Sequence, residues 1–271
     1  MAGINSINND YSWLFNSIGN GNAKNQNSIS KLWSAYGNFQ NNATGALAGL
    51  QEINANLKSV LTSYEDAKST FNAEFSENMD ALSKSAAKVK DYNFGGINKE
   101  GAITTTNVSD EEGNVTAQTT YSKDLQAALD TVKDFVNDYN TSINFFKENS
   151  SVSNRVEKMA QIFSDTTYRA ANYELIGLTV GSGGTIEIDE EKLANAIIND
   201  PDKVSSILGK DGFAGKAESH VSFANSQLES LFPTAEKMLG DQLDAASLYT
   251  GKAYRNMAAY SNMGNLINMM F

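Results

Sequence analysis

Seven apolar residues recur in alternating steps of four and three with no interruption: Leu125, Leu129, Val132, Val136, Tyr139, Ile143 and Phe146. That period places all of them on one stripe of an α-helix, and a stripe of that length must be covered by a partner surface. The spacing repeats at Val152, Val156, Met159, Phe163, Thr166, Ala170 and Tyr173, after the polar break Glu148-Asn149-Ser150-Ser151. Two such helices joined by a short polar turn predict an antiparallel helical hairpin. The stripes read first as packed core rather than as a ligand site.

A third stripe lies in residues 46–91. Leu57, Leu61, Tyr64, Phe71, Phe75, Leu82 and Val89 share one seam, interrupted by Asn54, Lys68, Asn78 and Ser85. Such a seam winds helices around one another, and buried polar members would set register at some cost in stability. With 2 prolines in 271 residues, long helices run without breaks. The last segment, 213–271, is expected to be helical with one break at Phe232-Pro233. Its seam is Leu239, Leu243, Ala246, Thr250, Ala253, Met257, Tyr260, Gly264 and Ile267. The chain ends Leu266-Ile267-Asn268-Met269-Met270-Phe271, apolar and Met-rich where a terminus is ordinarily polar. Methionine-rich faces adapt to partners, so burial against neighbouring subunits or against the first rod is expected there.

Two short stretches change period. Ile103 to Val108 and Val115 to Tyr121 are β-branched runs around Ser109-Asp110-Glu111-Glu112-Gly113-Asn114, which predicts a β-hairpin. The acidic turn lacks the ligand spacing of a calcium loop. Leu178-Thr179-Val180 and Thr185-Ile186-Glu187-Ile188 flank Gly181-Ser182-Gly183-Gly184 and predict a second hairpin. That glycine stretch joins two strands and does not open a helix with Lys-Ser/Thr, which argues against a phosphate loop. Asp189 and Asp200 are placed to cap the short helices that follow, with Pro201 at a first helical position.

Residues 1–45 are rich in Asn, Ser and Gly, with aromatic islands at Trp13-Leu14-Phe15 and around Trp33. The segment is expected to be mobile in the monomer, either docking on assembly or packing as a loose N-terminal helix. It lacks the basic start and apolar stretch of a cleaved signal, so the chain stays in the cytosol or leaves by a route that reads an uncleaved N-terminus.

Composition excludes several classes of function. There are 32 acidic and 21 basic residues and a net charge of −11, which repels nucleic acid and anionic lipid. No apolar run is long enough to cross a bilayer. Cysteine is absent, removing disulfides, thiolate metal sites and thiol catalysis. The single histidine, His220, lies in Ser219-His220-Val221-Ser222 and reads as a surface or interface residue rather than a general base. No nucleophile elbow, metal pair or nucleotide fingerprint is present. No enzymatic activity and no cofactor are expected.

A further set of segments carries a family likeness. In order they are Val132-Lys133-Asp134-Phe135-Val136-Asn137-Asp138-Tyr139-Asn140, Leu175-Ile176-Gly177-Leu178-Thr179-Val180 and Gly184-Thr185-Ile186-Glu187-Ile188-Asp189-Glu190-Glu191-Lys192-Leu193. Ala196, Asp200-Pro201-Asp202-Lys203-Val204 and Gly212-Phe213-Ala214 follow. By their order and spacing, residues of about 125–271 resemble the C-terminal part of the bacterial flagellar filament cap protein, also called hook-associated protein 2. The resemblance implies terminal helices paired in a coiled-coil stem, a mixed domain beyond it, and β-rich outer domains that guide flagellin addition. It also implies export through the flagellar type III channel without a cleaved signal, to the extracellular flagellum. The large outer domains have no counterpart here beyond the hairpin at 102–121, so the chain is expected to be a short variant.

The combined expectation is a mainly α fold with small β elements: an elongated antiparallel helical bundle or coiled coil with two β-hairpins. Its parts are an Asn-rich leader (1–45), a terminal helical rod (46–91 with 213–271), a β-hairpin insertion (92–121) and a helical hairpin with a mixed α/β element (122–212). Leu125, Leu129, Val132, Val136, Tyr139, Ile143, Phe146, Met257, Tyr260, Ile267, Met270 and Phe271 are candidates for self-assembly or helix packing. Expected partners are further copies of the chain, flagellin or other hook-associated proteins, and an export chaperone, with no nucleic acid and no membrane insertion. The alternative is a surface-exposed helical adhesin or binding module that makes contact near Trp13 and Trp33.

Overall fold

The computed structural model describes residues 31–32, 34–35, 50–109, 115–235 and 237. The molecule is mainly helical with two small antiparallel hairpins. It divides into two compact units, residues 1–73 with 232–271, and residues 74–231. Helix α1 (Leu50–Lys90) contributes residues to both.

In the first unit α1 buries Val60, Tyr64, Ala67 and Phe71. The Phe232 ring packs on Tyr64 and on Phe71, each at 5.6 Å between centroids. The Tyr64 hydroxyl donates to the Pro233 carbonyl at 2.9 Å. The expected break at Phe232-Pro233 is present, and beyond it the Thr234 hydroxyl accepts from the Lys237 amide at 3.2 Å.

The buried face of α1 follows the expected seam at Tyr64, Phe71, Phe75, Leu82, Ser85 and Val89, and departs from it at single positions. Val60, Ala67, Met79 and Ala86 are buried, whereas Leu61, Lys68 and Asn78 are only partly so. Alanine gives up no side-chain entropy on burial, whereas an unpaired ammonium would be costly to bury. Lys68 instead keeps its amine 6.0 Å from the Tyr64 ring centre. Of the polar seam members, Ser85 is buried and donates to the Leu82 carbonyl at 3.3 Å. The side chains of Asn54 and Leu57 lie outside the described residues.

The second unit is built around α2 (Lys123–Glu148), whose Ser122 cap accepts from the Leu125 amide. The ribbon β1 (Ile103–Ser109) and β2 (Val115–Tyr121) precedes it, paired from Ile103↔Tyr121 to Ser109↔Val115. The polar break after α2 becomes a 3₁₀ turn, Ser150–Val152, and α3 (Asn154–Phe163) starts on the Ser153 cap.

The second helix of the predicted hairpin does not run on to Tyr173. It stops at Phe163, and a 3₁₀ turn (Ser164–Arg169) leads into the one-turn helix α4 (Ala170–Glu174). Hydroxyl side chains compete for the backbone here. The Ser164 hydroxyl donates to the Ala160 carbonyl at 2.7 Å, Thr167 to the Ser164 carbonyl at 3.2 Å, and Thr166 leaves for the Gly184 carbonyl at 2.7 Å. Val156, Met159, Phe163, Thr166 and Tyr173 are nonetheless buried, with Ala170 partly so.

Strands β3 (Leu178–Val180) and β4 (Ile186–Ile188) form the second hairpin. Gly184 sits at φ 83°, and a side chain there would meet Ser164 at 2.5 Å, so only glycine fits. Asn140 of α2 grips β4 with both ends of its amide, accepting from the Ile186 N–H at 2.8 Å and donating to the Ile186 carbonyl at 2.7 Å. Helices α5 (Glu190–Asn199) and α6 (Pro201–Leu208) start on Asp189 and Asp200 as the sequence predicts, with acceptor distances of 2.9 and 3.2 Å. Helix α7 (Phe213–Leu231) closes the unit, lying against α3 and α6.

Candidate functional site

Helix α7 presents Phe213, Ala214, Ala217, His220, Val221, Ala224 and Leu231 inward, a stripe at helical spacing. Phe213 anchors it, with its ring 4.6 Å from both Phe135 and Tyr139 and 5.1 Å from Tyr173. Two turns further on, the His220 ring lies 5.2 Å from that of Phe163, tilted by 50°. The expectation of a surface or interface histidine is therefore corrected: His220 is 9% exposed, inside its own subunit. Its spacing of seven from Phe213 is the signal that could have placed it there.

Around His220 a group of polar side chains gathers within an apolar core. The Tyr139 hydroxyl donates to the Phe163 carbonyl at 2.8 Å, and its oxygen stands 3.5 Å from His220 Nδ1. With its proton engaged, that oxygen can only accept from the imidazole. On the other side, His220 Nε2 lies 3.5 Å from Asp165 Oδ2, the same oxygen that pairs with the Lys216 ammonium. Asp165 Oδ1 and the Tyr173 hydroxyl are buried without a protein partner.

Burial sets the protonation states. It pushes the Tyr139 hydroxyl far above the usual tyrosine range, and the neighbouring Asp165 carboxylate adds to the shift. It pushes Tyr173 up to about 12, although Arg169 opposes it. Burial likewise drives His220 below the usual imidazole value. Asp165 pulls the other way and the Lys216 charge adds to the lowering.

The row Tyr139–His220–Asp165 has the residue types of a proton relay but not the access. Tyr139 is 1% exposed and Tyr173 2%, so no substrate atom can reach either hydroxyl. An open groove of about 540 Å³ runs on the outer side of α7, along Gly215, Ser219, Ser222, Phe223 and Ser226, and none of the cluster lines it. Among the described residues no three His, Asp or Glu side chains are grouped to hold a metal. The cluster's chemistry is positional: through Asp165, Lys216 and His220 it fixes α7 against the 164–169 turn.

Two further ion pairs do similar work nearer the surface. Lys90 of α1 meets Glu218 of α7 at 2.6 Å, and Lys133 of α2 meets Glu190 of α5 at 2.5 Å. Neither pair is foreshadowed by sequence spacing, because each joins elements far apart in the chain. Tyr168 is 89% exposed, Leu175 53% and Phe223 45%, the large apolar residues on the described surface. No described helix is long and apolar enough to cross a membrane.

Of the sequence candidates, Leu125, Leu129, Val132, Val136, Tyr139, Ile143 and Phe146 are all buried along α2. Tyr139 and Phe146 both meet the Phe163 ring, at 6.0 and 4.9 Å, and Phe146 also meets Phe75 at 6.1 Å. Met257, Tyr260, Ile267, Met270 and Phe271 lie outside the described residues, as do Trp13, Trp33 and the acidic turn at 110–114.

Residues 149–263 match the family described as flagellar hook-associated protein 2 C-terminus. The matched stretch takes in Asp165, Lys216 and His220 together with β3, β4 and their capped helices. No curated protein and no solved structure matches the chain.

Proposed function

We propose, from the match of residues 149–263 to the family described as flagellar hook-associated protein 2 C-terminus, that this chain is a non-catalytic, cap-type subunit of the bacterial flagellum. In this reading it assembles with copies of itself and contacts flagellin or other hook-associated subunits outside the cell. It reaches them by flagellar type III export, held beforehand by an export chaperone. The family match carries the reading.

The burial pattern supports a division of labour among the candidate residues. Leu125, Leu129, Val132, Val136, Tyr139, Ile143 and Phe146 are enclosed within one unit, so their part is helix packing. Assembly then falls to outward side chains such as Tyr168, Leu175 and Phe223, and to Met257, Tyr260, Ile267, Met270 and Phe271 near the C-terminus. The mechanism is steric templating. Apolar area withdrawn from water supplies roughly 25 cal/mol per Å² before the costs of association.

The test is the mass in solution, by light scattering after gel filtration, of the chain alone and mixed with purified flagellin or hook-associated subunits. A discrete homo-oligomer or a mixed complex supports the reading. A lone monomer that ignores both partners overturns it. Removing Leu266 to Phe271 should leave the melting temperature unchanged and weaken assembly; equal affinity would remove the C-terminal residues from the interface.

A further inference from the structure

Helix α7 carries Lys216 and His220 four positions apart, so both side chains leave the same face. Both reach one atom. Asp165 Oδ2 pairs with the Lys216 ammonium and lies 3.5 Å from His220 Nε2. The other oxygen, Oδ1, is buried with no protein partner. One carboxylate thus meets two groups of α7 through a single oxygen and holds a second acceptor in reserve.

The imidazole has an acceptor on each side. The Tyr139 hydroxyl of α2 gives its proton to the Phe163 carbonyl, so its oxygen, 3.5 Å from Nδ1, offers only lone pairs. A carboxylate likewise only accepts. A neutral ring has one N–H for these two acceptors, whereas a protonated ring has one for each. From α3 the ring meets Phe163, which is apolar. The α4 side of the cluster holds Tyr173, on which Arg169 and Asp165 act. Water reaches the outer end: the side chains of Lys216 and Asp165 are 28% and 22% exposed, against 11% for His220. A solvent proton can therefore arrive along Asp165 without the core opening first.

A second positive charge changes the balance. While His220 is neutral, the charges of Asp165 and Lys216 cancel. Once it is charged, two like charges stand at a helical spacing of four and compete for one carboxylate. Burial opposes the charged ring, Asp165 favours it, and Lys216 opposes it. Asp165 can meet both cations by turning Oδ1 toward one of them, and the turn that carries it, Ser164–Arg169, then moves. The same turn is tied to the second hairpin through Thr166 and Gly184, and it displays Tyr168 to solvent.

We propose that Asp165, Lys216 and His220 form a pH-operated clasp: a proton on His220 draws Asp165 away from Lys216 and loosens the Ser164–Arg169 turn against α7, while the rest of residues 74–231 stays folded. The device needs only a single chain and stands apart from the assembly reading.

Nuclear magnetic resonance on the full chain, from pH 7.5 down to the acid unfolding transition, tests it. The His220 ring should titrate with a midpoint below 6.5, and the Thr166 and Tyr168 amide shifts should follow the same midpoint. Hydrogen-exchange protection in the turn, corrected for the intrinsic rate at each pH, should fall about tenfold across that midpoint while protection in α2 holds. These wild-type readouts need no variant to fold. Lys216→Met removes the competing cation, and the ring midpoint should then rise by about one pH unit. In His220→Gln the turn amides should lose this transition. A ring that takes up no proton before the whole unit unfolds overturns the clasp. So do turn amides that ignore the ring's midpoint, or that shift equally in His220→Gln.

Discussion

At the residue scale His220 is the most consequential single group. Burial outweighs the pull of Asp165, so its folded pKa lies below the usual 6.5. The unfolded chain therefore takes up a proton first as the solution is acidified. Stability from this group is complete above about pH 6.5 and is lost as pH falls toward the folded value. The groups facing His220 are Asp165 and Lys216 with Tyr139. Urea midpoints between about pH 7.5 and 5 should fall further for the wild type than for His220→Gln. Parallel curves would show that the imidazole does not take part. The histidine's role was legible only in its position on the α7 stripe; what it touches depends on where the chain turns at Ser164–Arg169, and no periodicity encodes that.

At the scale of elements, local chemistry was readable where a single residue decides an outcome. Asp189, Asp200 with Pro201, and Phe232-Pro233 each sit where the structure starts or stops a helix. The β-branched runs became β1 and β2, because branched side chains fit a pleated strand better than a helix. Elements whose course depends on distant partners were read less well. The stripe from Val152 to Tyr173 has helical spacing throughout, yet Thr166 is drawn out of the helix by Gly184, a residue 18 positions on. In α1 the apolar seam residues from Tyr64 to Val89 are buried, but at two positions Ala67 and Met79 take the inward place expected of Lys68 and Asn78. Helix α2 had no such competitor, and its seven seam residues are all buried, together with Ala128, Phe135, Ser142 and Phe145. It follows that Leu129→Ala should cost about 2–5 kcal/mol by leaving a cavity. Leu129→Asp, which buries a charge with no partner, should abolish the folded state. Circular dichroism through a thermal melt checks both; an aspartate variant that kept its helical signal and melting temperature would show that α2 is not the centre of the core.

For the whole molecule, net charge and assembly pull in opposite directions. A chain at −11 approaching its own copy meets repulsion that depends on how far its field extends. The screening length is about 30 Å at 0.01 M salt and about 8 Å at 0.15 M. The described ion pairs Lys90–Glu218, Lys133–Glu190 and Lys216–Asp165 are all internal to one unit, so salt has little intersubunit attraction to weaken among them. Self-association should therefore strengthen as sodium chloride rises from about 10 to 150 mM, by severalfold in the association constant, and then level off once the screening length is shorter than the spacing between subunits. Light scattering at fixed protein concentration across that range measures it. A fall with salt would mean that charge pairs between subunits drive the contact, and would point to acidic surface groups meeting basic ones across the interface.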